Sequence, residues 1–127
     1  MRLLFCEDDE AYAESFMYAM EVYAPAFTIT HVLTLYEGIQ AVRQTDFALI
    51  VLDLNLPDAK GTESLKAMSQ QARDVPIVVL TAYSQWQADC AKLACNAYVV
   101  KTQMDCEDLA AFLLRIARGE RGASSDE

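Results

Sequence analysis

The chain has 127 residues, of which 54% are hydrophobic and 23% are charged, and this length and composition suit one compact domain rather than two. Its formal net charge of −9 would repel a phosphate backbone, so we expect no direct binding to nucleic acid. No apolar stretch has the length of a membrane span, and the N-terminus lacks the apolar region of a signal peptide, so we expect a cytoplasmic protein without membrane contact.

The first half of the chain alternates apolar runs of strand length with segments of helical period. Ahead of Pro25, apolar residues that include Tyr12 and Phe16 recur on one face of a helix. The next run alternates like a strand and ends near His31, the only histidine, which we expect to be structural. The predicted elements are a strand at 3–6, a helix at 10–23, a strand at 27–32 and a helix at 35–43.

Two runs in the second half, at 48–52 and 76–80, are apolar at every position, which is typical of strands covered on both faces. A loop containing Pro57 and Gly61 follows the first of them. Residues 119–127 are small, polar and charged, and are predicted to be a flexible tail or the start of a linker. The remaining predicted elements are helices at 62–72, 84–93 and 105–118 and a strand at 98–100.

This order amounts to five β/α repeats. Such alternation predicts an α/β domain over residues 1–118, with a parallel sheet between two layers of helices and right-handed crossovers. Ligands of open parallel sheets bind at the carboxyl ends of the strands, so the residues that follow each strand are the candidates for function.

Polar residues follow four of the five predicted strands. Glu7 and Asp8 come after the first strand, Asp53 ends the third, Thr81 ends the fourth and Lys101 ends the fifth. Taken singly, each has an ordinary interpretation as a helix cap, a first-turn charge or a surface amine. Their joint placement at one edge of the sheet favours a functional site instead.

These residue types suit phosphoryl transfer. Clustered carboxylates repel one another unless a cation neutralises them, and oxygen ligands predict Mg²⁺ as that cation. The carboxylate of Asp53 can attack phosphorus to give an acyl phosphate. Lys101 and the hydroxyl of Thr81 can then bind oxygens of the phosphoryl group, whose transfer depends mainly on positioning and charge neutralisation.

With the strings from Asp53 to Gly61, from Leu80 to Ala82 and from Tyr98 to Lys101, the constellation resembles the receiver domain of two-component response regulators. The resemblance covers residues 2–118. It implies a flavodoxin-like, doubly wound (βα)5 fold, whose five-stranded parallel sheet has the strand order 2-1-3-4-5.

The resemblance also implies a ligand set and a phosphoryl donor. Asp8 and Asp53 would bind Mg²⁺ together with the main-chain carbonyl of Asn55, while Glu7 would act through a water molecule. The donor would be a phosphohistidine of a sensor histidine kinase or a phosphotransfer protein. The chain would therefore be a switch rather than an enzyme, with only self-phosphotransfer and slow autodephosphorylation.

Output is implied on the face made by the helix at 84–93, the strand at 97–100 and the helix at 105–118. Tyr98 matches the aromatic residue that turns inward when Thr81 engages the phosphoryl group. The expected partner on this face is a downstream protein or a fused output domain, and a dimer that forms on phosphorylation is a further expectation.

The sequence departs from the family at Thr102, where receivers usually have a proline in a cis peptide, and at Lys60, where many have an acid. A phosphohydrolase of the haloacid dehalogenase type also uses an aspartyl phosphate. That class needs a second acid where Asn55 stands, and its nucleophile ends the first strand rather than the third. A pseudo-receiver that is never phosphorylated would not need the complete set of acids, Thr81 and Lys101.

Overall fold

The computed structural model describes residues 1–93 and 95–119, and its central element is a five-stranded parallel sheet. The strands of this sheet are β1 (Arg2–Cys6), β2 (Thr28–Val32), β3 (Leu49–Leu52), β6 (Ile77–Thr81) and β7 (Ala97–Val100). Two short strands, β4 (Asn55–Leu56) and β5 (Ala59–Lys60), pair antiparallel in a hairpin that the sequence did not predict. The order of the main sheet is β2-β1-β3-β6-β7, which confirms the predicted order 2-1-3-4-5 once the hairpin strands are left out of the count.

The helices are α1 (Glu10–Tyr23), α2 (Leu35–Gln44), α3 (Thr62–Gln71), α4 (Gln87–Cys90) and α5 (Cys106–Ala117). Three of them begin at a side-chain cap, because Asp9, Thr34 and Asp105 each accept a hydrogen bond from the backbone N–H three positions further on. These caps explain why the predicted beginnings of α1, α2 and α5 lie within one residue of the observed ones.

Helix α4 is much shorter than the predicted segment at 84–93. Its N-cap residue, Trp86, makes no side-chain capping bond. Beyond Cys90, the N–H of Lys92 bonds to the carbonyl of Asp89, so the chain continues in tight i→i+3 turns rather than in an α-helix. Helical periodicity alone does not distinguish these two conformations.

The sheet separates two apolar cores. Successive residues of a strand point to opposite faces. Leu3 and Phe5 therefore pack in the core beneath α1 and α5, while Leu4 and Cys6 pack in the core on the side of α2 and α3. Helices on both faces confirm the doubly wound architecture.

Helix α2 packs closely against β1 at Gly38. A Cβ atom at this position would lie 2.8 Å from Sγ of Cys6 and 3.1 Å from the terminal methyl group of Met68. The lack of a side chain therefore sets the distance between α2 and the strand that leads into Glu7 and Asp8.

The predicted tail lies almost entirely outside the described residues, since 120–127 are not among them. Within residues 1–93 and 95–119, no helix has the length and apolarity that crossing a membrane would require.

Candidate functional site

Three carboxylates meet at the carboxyl edge of the sheet. Because β1 and β3 run parallel, with Cys6 beside Leu52, the residues that follow them come together. One oxygen each of Glu7, Asp8 and Asp53 lies within 4.8 Å of the others. We call these three residues the acidic cluster. Glu7 and Asp53 are buried, whereas Asp8 is exposed.

The acidic cluster fits a hard divalent cation. Its donors are all carboxylate oxygens, which are the ligands that Mg²⁺ and Ca²⁺ prefer, and exposed Asp8 leaves one side open to solvent. The pKa of Glu7 is raised to about 7, chiefly by burial; the bond to Lys101 opposes this rise, and the nearby charge of Asp53 adds to it. A cation beside these oxygens would relieve the repulsion between the carboxylates.

Lys101 joins the acidic cluster from the end of β7. Its Nζ lies 2.7 Å from Oε1 of Glu7 and 3.3 Å from Oδ2 of Asp53. Burial lowers the pKa of Lys101, but its contacts with Glu7 and Asp53 outweigh burial and raise the pKa above the usual value. The amine is therefore a stable cation beside the carboxylate of Asp53.

The carboxylate of Asp53 is held from two sides. Its Oδ1 accepts a hydrogen bond of 3.1 Å from the N–H of Asn55, the first residue of β4, and its Oδ2 binds Lys101. Its own N–H donates to the carbonyl of Cys6 across the sheet. Both carboxylate oxygens therefore have fixed directions.

Thr81 is the last residue of β6, and its side chain is fully buried. Its Oγ1 has no hydrogen-bond partner among the residues that the structure describes. A buried hydroxyl without a partner is uncommon, because the lost contact with water costs about 1–3 kcal/mol. Thr81 ends the strand next to β3, which leads into Asp53, and its hydroxyl can bond to an added group.

Tyr98 lies in β7, half-buried against the core on the side of α2 and α3. Its hydroxyl donates a hydrogen bond to the main-chain carbonyl of Tyr83. The ring of Tyr83 meets Trp86 edge-on, with centroids 5.7 Å apart. Tyr98, the residue expected to act as the switch, is thus linked to the segment that follows Thr81.

The bond between Lys101 and Thr102 is trans, since no cis peptide bond occurs in the described part of the chain. The side chain of Gln103 closes the loop instead, by accepting a hydrogen bond of 2.9 Å from the N–H of Val100. The loop that departs from the family pattern therefore has an ordered conformation of its own.

Three contributions to the site were not predicted. The centroid of the Tyr12 ring lies 4.2 Å from Nζ of Lys101. Asp58, in the turn of the hairpin, accepts hydrogen bonds from the first turn of α2. Nε2 of His31 lies 2.7 Å from the carbonyl of Glu7, so the residue expected to be structural supports the acidic cluster from β2. No sequence pattern points to His31 or Asp58, because both act through main-chain groups.

The family model that matches this chain is the response regulator receiver domain, over residues 3–113. The chain therefore belongs to the response regulator receiver domain family of two-component systems.

One relative is the two-component response regulator PhoP of Pseudomonas aeruginosa, which is 34% identical over 88 residues. The match covers 68% of this chain but only 39% of PhoP, so the matched part is less than half of that regulator.

Solved structures share the fold. A two-component response regulator of the LuxR family from Aurantimonas superimposes with a TM-score of 0.83 at 23% identity, over 98% of this chain and 90% of that one. The response regulator TrrA of Thermotoga maritima, solved in complex with Mg²⁺-BeF, gives a TM-score of 0.76 at 23% identity, over 91% and 97% of the two chains.

Proposed function

We propose that this domain is a phosphorylation switch that accepts a phosphoryl group on Asp53. The observation that carries the proposal is the environment of this carboxylate, which belongs to the acidic cluster and also contacts the Lys101 ammonium. An oxygen of Asp53 would attack the phosphorus of a phosphohistidine, the P–N bond would break, and the imidazole would leave with its electron pair.

The proposed metal is Mg²⁺, held by Asp8, Asp53 and the main-chain carbonyl of Asn55, with Glu7 acting through water. When bound, it would neutralise negative charge on the phosphoryl oxygens. TrrA of Thermotoga maritima, which shares the fold, was solved with Mg²⁺, and this supports the choice.

Two further residues would bind the product. Lys101 would neutralise one phosphoryl oxygen, and the Thr81 hydroxyl would donate to another. The absence of a hydrogen-bond partner for Thr81 Oγ1 within the described residues supports this role.

Tyr98 would then move further inward and change the face formed by α4, β7 and α5, because the phosphoryl group stabilises that arrangement through its own contacts. We assign the receiver to residues 1–118, and residues 119–127 to a tail or linker. The family match at 3–113 supports the first of these ranges.

The proposed partners follow from this role. A sensor histidine kinase or a phosphotransfer protein would supply the phosphoryl group. A downstream protein or a fused output domain would contact the changed face, and phosphorylation could also drive dimerisation. The domain itself would not be an enzyme, since it turns over only its own acyl phosphate.

The test uses acetyl phosphate as a small donor in the presence of Mg²⁺. We expect mass spectrometry to find one added phosphoryl group on the wild-type chain and essentially none on Asp53→Asn. The control is Asp46→Asn, an exposed carboxylate just ahead of β3, which should behave like the wild type. Phosphate retained by Asp53→Asn at the wild-type level would refute the assignment.

A further inference from the structure

The ammonium of Lys101 lies against an aromatic ring as well as against two carboxylates. The centroid of the Tyr12 ring is 4.2 Å from Nζ, well within the range of a cation–π contact. Only 14% of the lysine side chain is exposed. The ring therefore occupies a side of the cation that water would otherwise solvate.

Tyr12 belongs to a closed circuit of contacts that begins and ends at Glu7. Oε2 of Glu7 accepts the N–H of Asp9 at 3.1 Å, and Oδ1 of Asp9 accepts the N–H of Tyr12 at 3.1 Å. The Tyr12 ring meets Lys101, whose Nζ returns to Oε1 of Glu7 at 2.7 Å. Asp9 thus fixes the backbone of Tyr12, and Glu7 fixes the Lys101 ammonium that the Tyr12 ring contacts. Glu7 and Asp9 are themselves joined by a hydrogen bond.

The Tyr12 side chain has the neutral charge state that this contact needs. Burial, followed by the nearby charge of Glu7, raises the pKa of Tyr12 far above its usual value, so the side chain is a neutral phenol at physiological pH. The negative face of a neutral aromatic ring attracts an ammonium, and the attraction grows as water is excluded.

Apolar packing at this position does not require an aromatic ring. Tyr12 borders the core between α1 and α5, where an aliphatic side chain would also fit the apolar stripe of α1. Only an aromatic face adds attraction for the cation.

We propose that Tyr12 is a positioning residue for Lys101, whose ring keeps the ammonium directed at Asp53; this rests on the proposed phosphorylation of Asp53. Lys101 lies closer to Glu7 than to Asp53 before phosphorylation. The ring limits the other directions that a long, flexible side chain could take. The cation then needs only a small movement to reach a phosphoryl oxygen.

The test compares Tyr12→Phe, which keeps the ring, with Tyr12→Leu, which removes it. With acetyl phosphate and Mg²⁺, we expect Tyr12→Phe to be phosphorylated within about twofold of the wild-type rate and Tyr12→Leu to be roughly three- to thirtyfold slower. The control on the same helix is Tyr18→Leu, whose side chain is 70% exposed and which should leave the rate unchanged.

A second readout does not depend on phosphorylation. The ring should shift the NMR signals of the Lys101 side-chain methylene protons upfield in the wild type and in Tyr12→Phe, and Tyr12→Leu should return them to ordinary lysine positions. Each variant is first checked for cooperative unfolding, and Tyr12→Met replaces Tyr12→Leu if the latter does not fold.

The outcomes separate the two proposals. The positioning role is overturned if a folded variant without the ring is phosphorylated at the wild-type rate or leaves the Lys101 signals unchanged. It is also overturned if Tyr12→Phe lowers the phosphorylation rate as much as Tyr12→Leu does. If the wild type accepts no phosphoryl group, the proposed function fails, and the NMR comparison still decides whether Tyr12 holds Lys101.

Discussion

Asp8 and Asp9 are neighbours in the chain, but their carboxylates have different surroundings. Asp8 contributes an oxygen to the acidic cluster, whereas Asp9 caps α1 and bonds to the N–H of Tyr12. The number of charges between Glu7 and Glu10 does not separate these two roles, because the roles depend on which side chain faces Asp53.

This difference predicts unequal effects on metal binding. Asp8→Asn removes a charged ligand from the acidic cluster, so we expect Mg²⁺ affinity to fall by about tenfold or more. Asp9→Asn keeps the cap, since asparagine caps a helix as well as aspartate does, and should change the affinity by less than about threefold. Isothermal titration calorimetry measures both, and equal losses would contradict the ligand assignment.

Most of the candidate site was predictable from the residues that end the strands, because parallel strands bring those positions to one edge. Tyr12 was not. The sequence predicted it as part of the apolar stripe of α1, and periodicity cannot tell a ring that meets only the core from one that also meets Lys101. The missing information was the distance between α1 and the end of β7.

At the scale of elements, one side chain of the hairpin, that of Asp58, hydrogen-bonds to the first turn of α2. The carboxylate of Asp58 accepts hydrogen bonds of 2.9 Å from the N–H groups of Leu35 and Tyr36, the first two residues of the helix. The chain between Asp53 and α3 is thereby held against α2. Partial burial raises the pKa of Asp58, but its backbone hydrogen bonds lower it more, so the pKa lies below its usual value.

Asp58→Ala should therefore destabilise the fold in a pH-dependent way. The group is exposed, so we expect a loss of about 0.5–1 kcal/mol in the free energy of unfolding at pH 7. Since the pKa is lower in the folded state, this stabilisation is complete above the unfolded pKa of about 4 and disappears as the pH falls through the folded value.

Urea unfolding of Asp58→Ala and the wild type at pH 7 and near pH 3 measures that difference. Asp46→Ala is the control, because this carboxylate is also exposed. A difference between Asp58→Ala and the wild type that stays constant over this pH range would rule out the charged cap.

The elements were predictable where local chemistry defined their limits. The predicted helix at 10–23 matches α1 because Asp9 provides a cap and Pro25 follows its end. The hairpin could not be predicted, since its two-residue strands have no recognisable period. The extent of α4 could not be predicted either, because the segment around Trp86 packs against another part of the chain.

At the scale of the whole molecule, Trp86 connects the segments that follow Thr81 and Asp53. A Cβ atom on Gly61 would lie 3.0 Å from the indole Nε1, so the indole rests directly on this glycine. Gly61 also has a φ of 67°, a conformation that side chains disfavour. A movement on either side of the phosphorylation site would therefore alter the surroundings of the indole.

We accordingly expect the emission of Trp86, the only tryptophan, to change when Mg²⁺ and beryllofluoride occupy the site. Thr81→Ala should reduce the change by more than half while Asp53 still accepts phosphate, because the proposed link between phosphate and output runs through that hydroxyl. Amide hydrogen exchange over residues 82–110 provides the comparison. If these amides do not respond at full occupancy, the output surface lies elsewhere, and α1 becomes the next candidate.

The buried hydroxyl of Thr81 has a consequence for how stability is distributed. Within the described part of the chain it has no hydrogen-bond partner, and a buried hydroxyl left in this state typically costs a fold about 1–3 kcal/mol. Natural proteins accept such conflicts at the sites that must respond to a ligand. Any group that presents an acceptor to Thr81 would remove the conflict, so the proposed signal would stabilise the fold at the position where it binds.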